Sequence, residues 1–305
     1  MLAYVVRRLL GAIPTLFVIV TVSFFLIRVA PGGPFNLDRP LPPQIMENLN
    51  AHFNLDKPLV VQYLIYLKNL LKLDLGPSFI YRDFTVYEMF KAGLSVSIRL
   101  GGLALLLALI VGIAAGTFAA LRQNSATDYS VMAGAMAGIT IPNFVMAPVL
   151  QLVLGVWLAL LPVAGWGTPK QMILPVITLA LPQIAVIARL TRGSMLEVLR
   201  SNHVRTARAY GLPAFSVVVV HALRGALLPV VSYLGPAAAA LLTGSVVIET
   251  IFGIPGVGRY FVQGALNRDY TLVMGTVVLI AIFVVLFNLI VDLLYAWLDP
   301  KVRYD

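Results

Sequence analysis

Residues able to carry out chemistry are few in this sequence, and they form no catalytic or metal-binding pattern. The chain has no cysteine, which excludes disulfides, thiolate metal sites and cysteine nucleophiles. Its histidines are His52, His203 and His221, and no H-E-x-x-H motif joins two of them for zinc. No G-x-S-x-G motif offers a serine nucleophile, and no lysine follows a glycine to make a Walker A site for ATP. The sequence therefore predicts no catalytic residue and no metal site, and a chain that is not an enzyme.

The stretch RTARAYGLP, residues 205–213, combines two arginines, several small residues and a helix-stop signal between long apolar runs. Ser201 and the asparagine after it can cap a new helix. Gly211 can end that helix, and Pro213 prevents its continuation. The pattern predicts a short, well-delimited helix.

That short helix has a face of small residues. Ala207 and Gly211 lie at i and i+4, where small side chains let another backbone approach, and Arg205 and Arg208 flank them at i and i+3. Such a helix fits a groove on a partner. An ordinary loop whose arginines only set membrane topology is the alternative.

The elements that position this helix are predicted to be membrane spans. The chain has 305 residues, of which 60% are hydrophobic and 11% charged, with a mean hydropathy of +0.92. Soluble domains have about 25% charged residues, so this composition indicates a membrane protein. The net charge of +9 is better explained by arginines bordering spans than by nucleic-acid binding. The first uncharged run exceeds the roughly 7–15 residues of a signal-peptide core, which favours an uncleaved span.

Six uncharged runs are long enough to cross a bilayer core of about 30 Å at about 1.5 Å per residue. They are Leu9–Ile27, Leu100–Leu121, Tyr129–Leu160, Gln171–Ala188, Gly225–Ile248 and Tyr270–Val291. Six spans place both termini on one side. Most arginines in the short loops fall on that side, so the positive-inside rule predicts that both termini are cytoplasmic.

The segment between the first two runs has helical periodicity. Ile45, Leu49 and Phe53 recur at helical spacing after a proline pair, and a second such set follows Pro58. We expect a small helical cap outside the membrane, packed on the span ends. A plain connector is the alternative.

Polar and glycine residues within or beside the runs suggest further roles. Glu249 stands where the fifth run ends, and Gly253, Pro255 and Gly256 follow in a bent stretch on the predicted outer side. This stretch is either a turn-rich loop or an outer gate or binding-protein contact. In the third run, Asn143 follows a proline break and is a candidate for the translocation pathway, with an ordinary proline kink as the alternative.

Packing explains other features of the runs. The pairs Gly112/Gly116 and Gly134/Gly138 have the G-x-x-x-G spacing that permits close helix crossings. Asp292, late in the sixth run, is expected to be an interhelical structural group rather than a proton carrier.

The segment around residues 205–213 resembles the cytoplasmic EAA loop of ABC-importer permeases. It is most similar to the R-T-A-R-A-x-G-L form of the permeases for peptides, dipeptides and nickel. Arg205, Thr206 and Ala207 occupy the positions of Glu-Ala-Ala, and Gly211 occupies the position of the glycine. Arginine in place of glutamate, and the late position of Pro229, depart from the general pattern but are usual in the peptide branch.

The resemblance extends along essentially the whole chain. The opening MLAYVVRRLLGAIPTLF, the stretch LDLGPSF, GSVVIETIFGIPGVGRYFVQGALNRDY and the terminal DPKVRY occur in the order and at the spacing of the B-type permeases of oligopeptide importers. The resemblance implies an all-α integral membrane protein with six transmembrane helices in the type I importer architecture. It implies four parts: residues 1–30, the first span; 31–95, an extracytoplasmic helical cap between spans 1 and 2; 96–298, a five-span core with a coupling loop at 195–224; and 299–305, a cytoplasmic tail.

The same resemblance implies a transport subunit of an ATP-driven peptide importer in a bacterial inner membrane. Its partners would be a second homologous permease, two ATP-binding subunits that hold ATP and Mg, and an extracytoplasmic binding protein. The chain itself would bind no cofactor and no nucleic acid. The residues implied to couple it to the ATPase are Arg205, Thr206, Ala207, Arg208, Ala209, Gly211 and Leu212.

Two alternatives remain open from the sequence. The first is a permease of the same family for dipeptides, glutathione or nickel chelates. The second is a stand-alone secondary transporter, which should place ionisable pairs at the membrane midplane, where these six runs carry almost no charge.

Overall fold

The computed structural model describes residues 2–29, 33–35, 42–81, 83–243 and 246–298. Fourteen α-helices and two π-helical stretches occur within these ranges. The α-helices are α1 Leu2–Val29, α2 Pro43–His52, α3 Leu59–Leu71, α4 Val86–Leu121, α5 Ala126–Thr140, α6 Asn143–Leu150, α7 Pro169–Leu199, α8 Asn202–Ala209, α9 Ala214–Ser216, α10 Leu223–Ala226, α11 Leu228–Thr243, α12 Val246–Phe252, α13 Gly258–Leu266 and α14 Tyr270–Leu298. The π-helical stretches are Gln151–Trp157, which continues α6, and Val217–Ala222, between α9 and α10. The predicted tail, residues 299–305, lies outside the described residues.

In the described part of the chain, four helices are each long and apolar enough to cross a membrane. They are the apolar stretches Val6–Val29 of α1, Val86–Leu121, Pro169–Leu199 and Tyr270–Leu294. Two bent pairs, Ala126–Thr140 with Asn143–Trp157 and Ala214–Ala226 with Leu228–Leu241, raise the number to six if each pair is one span. Within the described residues, each of the six predicted runs therefore overlaps one of these apolar helices or bent pairs. The fourth run, predicted to be the shortest, belongs to a helix of 31 residues that contains both of its prolines.

The third run differs from a single proline-kinked span. Its two helices, α5 and α6, meet at 106°. Ile141 and Pro142 both have extended backbone conformations, with ψ of 117° and 145°. Proline has no N–H to continue α5, and it disfavours helical geometry in the residue before it. The structure therefore has a sharp break at this position and not the ordinary proline kink that was the alternative.

The fifth run also begins earlier than expected. The apolar pair that overlaps it starts at Ala214, ends at Leu241 and bends by 53° between α10 and α11. The predicted coupling loop, 195–224, thus includes the first part of an apolar helical pair rather than only a loop. α12 then follows as a separate short helix.

The centre of the fold is the crossing of α4 and α7, where small residues bring the two backbones together. A Cβ added at Gly112 would lie 2.8 Å from the Ile187 side chain, and one at Gly116 would lie 2.4 Å from the carbonyl oxygen of Ala188. The first G-x-x-x-G pair therefore packs as predicted. In the second pair, Gly138 faces α7 at 3.3 Å, whereas Gly134 has no atom within 4 Å of its missing side chain.

The segment before α4 packs on the ends of the long helices. Tyr63 of α3 stacks edge-on against Phe24 of α1 at 5.2 Å between ring centroids. Arg28 Nε donates a hydrogen bond to Gln62 Oε1 at 3.0 Å. Burial raises the pKa of the neighbouring Tyr66 hydroxyl to about 12, so this side chain stays neutral.

Asp269, which the sequence did not single out, joins the cap to the last long helix. Its side chain is fully buried and accepts hydrogen bonds from Ser78 Oγ at 2.5 Å and from the Phe79 N–H at 3.1 Å. It also accepts from the Leu272 N–H at 3.0 Å, which caps the start of α14. One carboxylate therefore fixes residues 78–79 against α14.

At the opposite end of α14, Asp292 forms an ion pair with Arg8 of α1, with 2.8 Å between Oδ2 and Nε. This contact between two helices supports the structural role expected for Asp292.

Candidate functional site

The candidate coupling helix is α8, and both of its ends are set by local sequence. It begins after Ser201, as predicted, but the Ser201 hydroxyl donates to the Val198 carbonyl at 2.5 Å instead of capping α8. Gly211 ends the helix with φ of +75°, a conformation that favours glycine. The Leu212 N–H bonds to the Ala207 carbonyl at 3.4 Å, and the Gly211 N–H bonds to the Arg208 carbonyl at 2.9 Å, which is a Schellman stop.

One face of α8 is anchored in the core of this chain. Val204 is fully buried and Ala207 is 5% exposed, in a cluster that includes Met195 of α7 and Val217 and Ala222 of the following π-helical stretch. The expectation that Ala207 and Gly211 together present a small face to a partner is therefore corrected. Ala207 lies three residues after Val204, on the same face of the helix, and it therefore packs inward. Gly211 is exposed.

The opposite face of α8 is exposed and basic. Arg205, Thr206, Ala209 and Tyr210 line an open depression of about 420 Å³, and the Tyr210 side chain is 82% exposed. Arg208, Gly211 and Leu212 are exposed beside it. Neither arginine belongs to an ion pair within the described residues. This surface, which we call the α8 face, can therefore offer two guanidinium groups and an aromatic ring to another protein.

Helix α7, which precedes α8, is held to α5 by an ion pair that was not predicted from the sequence. Arg192 of α7 contacts the buried Asp128 of α5 through both Nε and Nη2, the latter at 2.7 Å from Oδ2. Asp128 also accepts from the Asn124 N–H at 2.9 Å. The only sequence signal was an acidic residue in the first turn of a helix after Ser125. The pair joins α5 to α7 about two turns before α7 ends.

The predicted outer site contains a buried carboxylate. Glu249 of α12 is 1% exposed and accepts from Ser97 Oγ of α4 at 2.7 Å and from the Gly258 N–H at 2.8 Å. Ser97 Oγ in turn accepts from the Val257 N–H at 2.9 Å. A Cβ at Gly256 would lie 2.3 Å from the Glu249 carboxylate, so only glycine fits there. We call this arrangement the Glu249 clasp.

The clasp determines which residues of the predicted outer site are accessible to another protein. Because Glu249 and Gly256 are both buried, neither side of this contact is available to a protein docking from outside. Gly253, with φ of +65°, is exposed at the end of α12, and Pro255 is half-buried. The structure thus brings Glu249 and Gly256 together and leaves Gly253 and Pro255 nearer the surface.

Asn143 lies at the break between α5 and α6, at the first position of α6. Its Oδ1 is shielded from water and has no hydrogen-bond partner within the described residues. Exposed apolar side chains surround it in the sequence, among them Ile141, Phe144 and Val145. The sequence predicts no metal site. The described residues contain no group of three or more potential metal ligands.

The chain belongs to the family described as binding-protein-dependent transport system inner membrane component, which matches residues 112–304. The corresponding N-terminal family matches residues 1–77. The α8 face, α7 and Glu249 lie in the first match, whereas Ser97 of the clasp precedes it. The protein is thus a membrane component of a transport system and not itself an enzyme.

Relatives extend this assignment over the full length. The chain is 54% identical to the oligopeptide transport system permease protein OppB of Salmonella typhimurium and 53% identical to that of Escherichia coli, with all of each chain covered. It is 44% identical to the dipeptide transport system permease protein DppB of Bacillus subtilis, covering 99% of this chain and 98% of the relative.

Solved structures share the fold. A chain of the MetNI methionine ABC transporter in an inward-facing conformation superposes with a TM-score of 0.60 at 17% identity, covering 70% of this chain and 97% of the other. A chain of an amino acid ABC transporter superposes with a TM-score of 0.51 at 18% identity, covering 69% and 94%. The architecture is therefore that of a type I ABC-importer permease.

Proposed function

We propose that this chain is the transmembrane permease subunit of an ATP-driven importer that translocates oligopeptides. An extracytoplasmic binding protein delivers the peptide, and ATPase subunits drive its passage. The observation that carries the proposal is α8, a short helix with one face anchored in the chain and an exposed basic face. A rigid-body movement imposed on the α8 face reaches α7, and through the Asp128–Arg192 pair it reaches α5.

The anchoring of α8 suits it to transmit force. Two buried residues and a Schellman stop hold the helix to the chain, so the ATPase would tilt whole spans rather than bend a loop. Arg205, Thr206, Arg208, Ala209, Gly211 and Leu212 supply the contact surface. Ala207 supplies the anchor. ATP and Mg belong to the partner subunits, and this chain binds no cofactor, metal or nucleic acid of its own.

The names of the relatives support the substrate class. Relatives at 53–54% identity over the whole chain are oligopeptide permeases, and a relative at 44% is a dipeptide permease. Dipeptide transport is therefore the second candidate. A homologous permease subunit would complete the pathway, and the whole assembly would lie in a bacterial inner membrane with both termini of this chain in the cytoplasm.

Asn143 is proposed as a pathway residue. A buried acceptor without a hydrogen-bond partner is unfavourable by about 1–3 kcal/mol. A donor from outside this chain, on the second permease subunit or on a passing peptide, would remove that penalty. The surrounding exposed apolar residues at the 106° break favour a position inside the assembled pathway. The outer stretch from Gly253 to Gly256 is proposed as part of the outer gate, with Glu249 as its internal fastening.

Affinity purification of the chain at native abundance in mild detergent, with mass identification of what accompanies it, tests this function. Recovery of a second permease and of ATPase subunits with Walker motifs is expected. Recovery of the chain alone, with transport intact after reconstitution without ATP, would mean a stand-alone transporter and would overturn the proposal.

A further inference from the structure

A cavity of about 550 Å³ lies between the start of α4 and α13, and neither Asn143 nor any residue of the α8 face lines it. Its volume falls within the roughly 300–1,000 Å³ of small-ligand pockets. Charged side chains of both signs line it: Asp83 and Glu88 on the α4 side, and Arg259 on α13. By the topology proposed above, it opens on the extracytoplasmic side.

The two signs of charge do not neutralise each other. Within the described residues, Arg259 is in no ion pair with Asp83 or Glu88, although all three line one cavity. Its Nε is shielded from water and has no hydrogen-bond partner there. Because these opposite charges line the cavity without forming an ion pair, they can bind a ligand that carries both a positive and a negative charge.

Arg259 is held in place before any ligand arrives. Its Nη2 donates to the Tyr260 hydroxyl at 2.9 Å, and its Cζ lies 4.8 Å from the centre of the Tyr260 ring. The Glu249 clasp fixes Gly258, the residue before it, through a backbone hydrogen bond. A guanidinium ordered in this way loses little freedom when it binds a carboxylate through two N–H groups.

Apolar and amide groups complete the lining. Phe84, Met89 and Ala92 provide apolar surface, and Phe84 is 56% exposed. The Gln263 side-chain oxygen accepts a hydrogen bond from the Tyr81 hydroxyl at 3.0 Å. Its amide nitrogen can therefore donate to a ligand. This chemistry matches a ligand with a carboxylate at one end, an ammonium at the other, and amide and apolar groups between.

We propose that this cavity is a binding site for a short peptide with free termini, with Arg259 binding the C-terminal carboxylate and Asp83 and Glu88 facing the N-terminal ammonium. The proposal rests on the peptide-import function and adds a substrate site on this chain, separate from any site on the binding protein. A peptide released outside would be held here before it enters the pathway.

Calorimetric titration of the purified permease complex in lipid nanodiscs, without the binding protein, tests the site. The probes are a tripeptide, its C-terminal amide and its N-acetyl form. The free tripeptide is expected to bind about ten- to a hundredfold more tightly than the amide, since one charge-assisted contact is lost. Arg259→Gln should weaken the free tripeptide by the same factor and leave the amide unchanged.

The matched control is Arg268→Gln, which changes an exposed arginine that follows α13 and does not line the cavity. It should leave both affinities as in the wild type. Asp83→Asn should reduce the preference for the free tripeptide over its N-acetyl form, because Glu88 remains to face the ammonium. Asp83 is chosen because Glu88 also caps α4 by accepting from the Thr85 N–H, so its exchange would disturb the helix.

Three results would overturn the proposal: no peptide binding by the wild type, equal affinity for the free and amidated peptides, or an equal effect of Arg259→Gln and Arg268→Gln. An Arg259→Gln variant that loses affinity only for the binding protein would assign the cavity to protein docking instead. ATP-driven peptide uptake by the complete wild-type complex is measured in parallel. Uptake without peptide binding at this cavity would show that the cavity is not a peptide site. The proposed import function would still hold in that case.

Discussion

The Glu249 clasp allows a stability prediction in which the structure sets both sign and magnitude. Glu249→Ala removes the acceptor for Ser97 Oγ and for the Gly258 N–H, and both donors remain buried. A buried donor left without a partner is unfavourable by about 1–3 kcal/mol. We therefore expect Glu249→Ala to destabilise the folded chain by about 2–6 kcal/mol.

Gly256→Ala should act through the same contact. Its new methyl group would lie 2.3 Å from the Glu249 carboxylate, which must move away and give up its hydrogen bonds. The same substitution in the Glu249→Ala background meets no carboxylate. The two changes should therefore be strongly non-additive, with a coupling of about 2 kcal/mol or more, at the upper part of the range for residues in contact.

Thermal unfolding of the detergent-purified variants, followed by fluorescence-detected size exclusion, measures this cycle. Gly102→Ala is the control, because it adds a methyl group to α4 at a glycine with no neighbouring atom within 4 Å. It should not lower the midpoint temperature. Equal destabilisation by Gly256→Ala in both backgrounds, or a Glu249→Ala variant as stable as the wild type, would refute the clasp.

Three further predictions concern helix packing and coupling. Gly116→Ala should destabilise the chain by about 1–3 kcal/mol in thermal unfolding, because its methyl group meets the α7 backbone. Gly134→Ala, the control, should not destabilise it. Equal effects of the two variants would contradict the close crossing of α4 and α7 at Gly116. Ala209→Trp, at an exposed position with helical backbone on the α8 face, should insert and fold normally, as judged by size exclusion, yet abolish ATP-driven uptake by crowding that face; normal transport would disprove docking there. Asp128→Arg alone should lower uptake, and adding Arg192→Asp should restore part of it; no recovery would argue against a role for the ion pair.

Much of the architecture was predictable because it depends on local patterns. Runs of uncharged residues located the apolar helices, and the glycine–proline signal located the end of α8 at Gly211. The spacing of Gly112 and Gly116 located the close crossing of α4 and α7. In each of these cases, residues within a few positions of one another determine the result.

Features that join distant parts of the chain were not predictable. Ser97 and Glu249 are 152 positions apart, and Arg192 and Asp128 are 64 apart, so no local pattern pairs them. The 106° break after Ile141 exceeds what a proline alone requires, since other prolines of this chain lie inside continuous helices. The burial of Ala207 depends on the residues after α8, which fold back over it.

The position of helix α8 was thus predictable, but the face that it exposes was not. Helix boundaries follow from caps and stops, whereas the buried face of an eight-residue helix follows from tertiary packing. The exposed residues Arg205, Thr206, Ala209 and Tyr210 emerged as a single surface only when the structure showed which face was covered.

We propose that this chain moves peptide only when ATP hydrolysis acts on the α8 face. Uptake of a labelled oligopeptide into proteoliposomes containing the chain, its partner permease, the ATPase subunits and the binding protein measures it most directly. Uptake is expected to require hydrolysable ATP and to disappear with a non-hydrolysable analogue. Equal uptake by this chain alone, with no ATPase and no ATP, would contradict it.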